Sequence, residues 1–131
     1  MQVLKSLPYD RLQDMLDVDY RDDLALVIER SEGGREPELV AVAQYYRDKA
    51  TNLAEVAFMV RDEWQRQGLG TQLFEALAAT AQGLGIRGFT ADVLFDNHAM
   101  MHLFQSTGLA IQSSIQDGTY HLEMLFRTER V

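Results

Sequence analysis

Val60-Arg61-Asp62-Glu63-Trp64-Gln65-Arg66-Gln67-Gly68-Leu69-Gly70-Thr71 is the stretch on which the reading of this chain turns. Before it, Leu53–Val60 is an apolar run of strand length. After it the period changes: Leu69, Leu73, Leu77, Ala81 and Leu84 recur at helical spacing, with Gly83 and Gly85 marking the exit. The stretch is therefore a strand-to-helix turn. A helix start leaves several backbone N–H groups without partners and carries partial positive charge, so it suits a phosphate. Gly68 and Gly70 remove side chains where a diphosphate would press on the backbone, and Arg66 can add a charged contact. The GK[ST] ending of a Walker loop is absent, as is the GxGxxG of a dinucleotide site.

Outward from this turn, the other elements follow the same logic. Ser6–Leu16 reads as a short amphipathic helix, with Leu12, Met15 and Leu16 on one face. Leu24–Ile28 and Leu39–Tyr46 read as two strands of a hairpin around the turn residues Ser31–Pro37. Phe89–Leu94 is a strand and Ala99–Thr107 a second helix, stopped by Gly108. Leu109–Ile115 and Thr119–Phe126 flank Asp117-Gly118, a strong hairpin-turn pair. In the last strand Tyr120, Leu122, Met124 and Phe126 alternate with polar residues, which predicts one buried face. The strand–helix–strand unit gives a parallel pair and the hairpins add antiparallel ones. The expected class is α+β, a mixed and mostly antiparallel sheet flanked by helices.

Composition narrows the function classes. The 131 residues suit one domain, 1–131, with 47% hydrophobic and 24% charged residues. With no cysteine, a thiolate metal site, a disulfide framework and a cysteine nucleophile are excluded. The net charge of -8, from 12 basic and 20 acidic residues, disfavours nucleic acid and favours a cationic partner such as an amine. No run is long and apolar enough to span a bilayer, and the acidic N-terminus is not a secretory signal, so a cytoplasmic place with no membrane partner is expected. His98 and His102 lie at i, i+4 without an evident third ligand, so no metal is expected.

The pattern Gln65-x-x-Gly68-x-Gly70 after a strand ending in Val60 resembles the acyl-CoA motif of the GNAT superfamily of N-acetyltransferases. Asn97, Ala99 and Phe104-x-x-x-Gly108-Leu109 resemble its second coenzyme-binding helix, and the likeness runs from about Leu24 to Phe126. More narrowly, Val18-Asp19-Tyr20-Arg21, Leu24-Ala25-Leu26-Val27, Ala54-Glu55-Val56-Ala57 and Arg61-Asp62-Glu63-Trp64-Gln65 are similar to the bacterial protein-lysine acetyltransferase branch associated with acyl-CoA synthetases.

The resemblance implies an acetyl-CoA (coenzyme A) donor and direct transfer to an amine acceptor, either a protein lysine or a small molecule. It implies that the backbone of Phe58, Met59 and Val60 pairs with the pantetheine arm. Gln65, Arg66, Gln67, Gly68, Leu69, Gly70 and Thr71 would hold the pyrophosphate, and Asn97 would reach the pantetheine. Transfer requires a neutral amine, whereas a free lysine has a pKa of about 10.4. A base must therefore act near the thioester. Glu55 is the expected catalytic base: it shares an alternating face with Ala57 and Met59, burial would raise its pKa, and the branch uses the corresponding glutamate. Many GNAT enzymes carry a tyrosine as acid where this chain has Phe104. That departure keeps a non-catalytic acyl-CoA sensor open as the alternative. His121 or Tyr120 could line the acceptor pocket, although alternation sends one of them elsewhere.

A GNAT fold also begins with a strand that Met1–Leu7 does not clearly supply. The expectation is an abbreviated start lacking the first strand, which leaves Leu24–Ile28 as an exposed apolar edge. Short pairing by Met1–Leu4, a homodimer, or a place in a larger multidomain protein would each cover it.

Overall fold

In the computed structural model the described residues are 2–6, 22–30, 33, 36–65 and 68–127, those of 2–6 as backbone only and Trp64 without its side chain. They form seven strands: β1 (Gln2–Ser6), β2 (Asp23–Arg30), β3 (Glu38–Asp48), β4 (Leu53–Val60), β5 (Gly88–Leu94), β6 (Ala110–Gln116) and β7 (Thr119–Leu125). Two α-helices join them, α1 (Leu69–Gly83) between β4 and β5 and α2 (His98–Gln105) between β5 and β6. The sheet order is β1-β2-β3-β4-β5-β7-β6, with every pair antiparallel except β4–β5. This is the expected mixed α+β sheet.

The missing first strand is a correction. Gln2–Ser6 pairs with Leu26–Arg30 along the edge that the sequence left open. Five residues suffice because the pairing needs only backbone N–H and C=O groups, which the unpaired side of β2 supplies. With that edge covered, the reason to expect self-association there is gone. The helix expected over Ser6–Leu16 falls, beyond Ser6, outside the described residues, as does Val18–Arg21.

All five residues of the Leu24–Ile28 run are buried, as a strand covered on both faces requires. α1 packs across β2 and β3 through Leu69, Leu73, Phe74, Leu77, Ala78 and Ala81, the stripe that its period foretold. Leu84 departs from that stripe: it caps the helix and is exposed. Gly85 (φ +80) then reverses the chain, and the Ile86 N–H reaches back to the Ala81 carbonyl at 3.0 Å. Asp117 (φ 48) and Gly118 (φ 81) make the expected tight turn between β6 and β7.

An aromatic cluster binds the helices to the sheet. Phe74 lies 5.5 Å from Phe89 and 6.1 Å from Phe104, while Phe104 lies 5.8 Å from Phe58, all edge-on. Such pairs each contribute about 1 kcal/mol beyond the area they bury. Phe104 is only 1% exposed.

Candidate active site

Among the described strands β4 and β5 are the only parallel pair, and they stay together for just three rungs: Leu53 with Gly88, Ala54 with Phe89, and Glu55 with Thr90. Beyond Glu55 the strands part. One edge of Val56–Val60 remains bonded to β3, from Tyr45 back to Ala41, and the other faces the gap. A strand edge open beside a gap offers alternating N–H and C=O groups to an extended amide-bearing chain. The backbone expected to meet a pantetheine arm, at Phe58, Met59 and Val60, lies along this edge. The Phe58 ring turns inward against Phe74 and Phe104, whereas Met59 is exposed.

The end of β4 is fixed from two sides. Arg61 donates its backbone N–H to the Val40 carbonyl at 3.0 Å, and its guanidinium pairs with Glu38. A 3-10 turn at Asp62–Trp64 follows, and the Gln65 carboxamide folds back to donate to the Val60 carbonyl at 3.1 Å and the Asp62 carboxylate at 3.2 Å. The Gln65 side chain thus braces the loop, leaving main-chain groups to face a ligand. Arg66 and Gln67 lie outside the described residues.

Gly68 then takes the N-cap position of α1 with φ +80, a left-handed conformation that costs a side-chain-bearing residue roughly 1–2 kcal/mol. It brings no capping side chain, and no acid stands in the first turn. The amide groups at Leu69, Gly70 and Thr71 therefore open on a region that is locally positive. Gly70 has a second reason to be glycine: an added Cβ would sit 3.3 Å from Leu103 Cδ2 of α2. The two helices approach each other at the first turn of α1. A groove of about 340 Å³ continues from there between Thr71, Glu75 and Gln82 of α1 and Leu103, Ser106 and Thr107 around the end of α2.

Asn97 caps α2, its side-chain oxygen accepting from the Met100 N–H at 3.1 Å. An asparagine one residue before a helix is a readable cap signal, and sequence reasoning used this residue only as a ligand contact. His98 and His102 are exposed on α2, and no group of three or more possible metal ligands gathers among the described residues.

Glu55 is a correction in part. It does share a face with Ala57 and Met59, but that face is exposed, because Ala54 and Val56 take the core side. The burial on which its tuning was expected to rest is absent. Glu55 instead stands in a cross-strand row. Register aligns Asp23, Tyr46, Glu55, Thr90, Glu123 and Gln112 across six strands. Partial burial, and then the carboxylates of Asp23 and Glu55, push the Tyr46 phenol above its ordinary pKa. Tyr46 therefore remains a neutral hydroxyl beside the carboxylate. Tyr120 and His121 separate as alternation requires: Tyr120 packs on Phe95 at 4.7 Å, and His121 joins the Glu55 face. Tyr46 and Asp92 escaped the sequence reading because their place on this face depends on register between distant strands.

The sequence profile described as "Acetyltransferase (GNAT) family" matches residues 3–109. "Acetyltransferase Pat" of Mycolicibacterium smegmatis is 37% identical over 98 residues, 74% of this chain and 28% of that protein. The chain thus spans about 28% of the length of this relative. The GNAT domain of S. lividans PAT superposes with a TM-score of 0.73 at 31% identity, over 92% of this chain and 70% of that one. A cAMP-binding acyltransferase from Mycobacterium smegmatis shares the fold, with a TM-score of 0.74 at 24% identity over 95% of this chain and 43% of that one.

Proposed function

Because this chain belongs to the GNAT acetyltransferase family, we propose that it moves an acetyl group from acetyl-CoA directly to a primary amine, with a protein lysine as the acceptor. The observation that carries the reading is the parting of β4 and β5 at Glu55–Thr90, close to a helix start capped only by Gly68. The gap and the amide cluster match the two halves of the donor. The open edge at Phe58–Val60 suits an amide-bearing arm, and the amides of Gly68–Thr71 suit a diphosphate. Asn97, its oxygen engaged with Met100, would offer its NH2 group to the arm. The thioester then comes to rest near the point where the strands separate.

Glu55 stands at that point. As an exposed carboxylate it attracts an ammonium and can take a proton directly or through one water. Protein lysine as acceptor rests on the resemblance of Ala54-Glu55-Val56-Ala57 and Arg61-Asp62-Glu63-Trp64-Gln65 to the protein-lysine acetyltransferase branch and on the net charge of -8, which attracts a cationic surface.

The second reading, a sensor that binds acyl-CoA without transferring it, is favoured by one observation. Phe104 is buried among Phe58 and Phe74 and holds no proton to give the departing thiolate. A thiolate leaving from a thiol of pKa about 8.5 is tolerable without an acid, so we favour transfer.

Thiol release from acetyl-CoA, measured over protein, peptide and small-molecule amines, decides between them. Release with a lysine-bearing protein is expected, and Glu55→Gln is expected to lower it about 100-fold with acetyl-CoA affinity unchanged. Tight acetyl-CoA binding with no release on any acceptor would establish the sensor. An unaltered rate in Glu55→Gln would remove the glutamate from the chemistry.

A further inference from the structure

One rung beyond Glu55, on the same face, His121 Nδ1 lies 2.7 Å from Asp92 Oδ1. The face follows from register. Glu55 sits opposite Thr90 and Thr90 opposite Glu123, while Asp92 and His121, also directly opposed, stand two residues further along β5 and β7. Ordinary strand spacings put the backbones of Glu55 and His121 roughly 12 Å apart. Both side chains leave the sheet on the same face, so an acceptor seated over Asp92 and Thr90 lies between them. The gap between them is the one that β4 opens when it leaves β5.

The chemistry of the pair is directional. An ionised carboxylate only accepts hydrogen bonds, so the proton shared with Asp92 sits on Nδ1 of His121. Neutral imidazole then presents Nε2 as an acceptor, its tautomer and ring orientation held by the carboxylate. With side-chain exposures of 38% and 57%, His121 and Asp92 are within reach of an incoming acceptor. On the strands around the ring, the other ionisable groups of this face are Glu55 on β4 and Glu123 on β7, while β6 contributes only Gln112, Ser114 and Gln116. All the charges facing His121 there are negative, which favours the arrival of an ammonium.

The geometry points to His121, oriented by Asp92, as a second proton acceptor of the transfer reaction, taking the first proton from the acceptor ammonium. This rests on the acetyltransferase reading above. The ammonium gives a proton to Nε2 and becomes a neutral amine. Its lone pair attacks the thioester carbonyl, the C–N bond forms, the nitrogen yields a second proton to Glu55, and the C–S bond breaks. The thiolate takes up the proton from Glu55 through water, and the imidazolium returns its proton to solvent. One proton is released per acetyl group moved.

The test is the pH profile of thiol release from acetyl-CoA, with a lysine-bearing peptide as acceptor, from about pH 6 to about pH 10, the range that spans ordinary imidazole and amine pKa values. His121→Asn keeps an N–H for Asp92 but has no Nε2. It should lower kcat/KM at least tenfold near neutral pH, with the deficit shrinking as the amine becomes neutral on its own, and acetyl-CoA affinity should not change. In His121→Ala, added imidazole should restore part of the rate, an effect that a purely structural side chain would not show. Asp92→Asn retains an acceptor for Nδ1 and should lose less. If the wild type turns over and His121→Asn matches it within twofold at every pH, with no rescue by imidazole, this assignment falls while the acetyltransferase reading stands. Acetyl-CoA binding with no release by the wild type on any amine would overturn both.

Discussion

The two ends of the β4–β5 pair are built on opposite principles. At the closed end, Asn52 in the β3–β4 turn accepts from Arg47 Nε at 3.0 Å and Nη2 at 2.7 Å, and donates to the Gly85 carbonyl at 2.8 Å. Arg87 answers from the other side, its backbone N–H on the Asn52 carbonyl at 2.9 Å and its guanidinium on the Thr51 carbonyl at 3.0 Å. Gly88 starts β5 pressed against β7, where an added Cβ would meet the Met124 carbonyl and come within 2.9 Å of Leu125 Cα. At the open end the same two strands share no bond past Glu55–Thr90, and the loop beyond β4 offers main-chain groups in place of capping side chains. The closed end is thus held by side-chain hydrogen bonds and close packing, whereas the open end leaves its main-chain groups to a ligand.

Substitutions that act at one end only would sharpen the contrast. The largest effect is expected from Gly88→Ala, which forces β5 off β7 and should lower stability by about 3 kcal/mol, read by urea denaturation. Asn52→Ala comes next. It removes three side-chain hydrogen bonds and places alanine at φ 59, for a loss of about 2 kcal/mol in the same measurement. Neither should alter acetyl-CoA affinity once the remaining folded protein is counted. Gly68→Ala should do the reverse. Its strain costs about 1 kcal/mol, and the reorientation of the first-turn amides should show mainly as weaker acetyl-CoA binding by calorimetry. A Gly68→Ala protein that binds as tightly as the wild type would mean that the phosphate does not sit at this helix start.

What the sequence disclosed follows from the range over which each signal acts. The strand-to-helix turn at Gly68, the stripe of α1 and the Asp117-Gly118 hairpin are local, and each stands where its residues foretold. Leu53–Val60 is predicted to the residue, because its apolar run is bounded by turn chemistry on both sides. β1 was only one of three open outcomes for the Leu24–Ile28 edge, since Gln2–Ser6 carries only two apolar residues and owes its place to the backbone of β2. Alternation correctly set Glu55 with Ala57 and Met59, but it cannot say which face of a strand is covered. The meeting of His121 with Asp92 spans 29 positions and depends on the register of β5 against β7. No single segment contains that information.

The close approach of Leu103 to Gly70 sets the first turn of α1 and the second helix in gear. One carries the amides meant for the diphosphate, and the other begins at Asn97, beside the gap meant for the arm. A donor shortened to acetyl-pantetheine would leave the first wheel unengaged, so its handicap should appear in kcat as well as in affinity. The far tail of the nucleotide, which never nears the transferred carbon, would then act as the key that seats the reacting end.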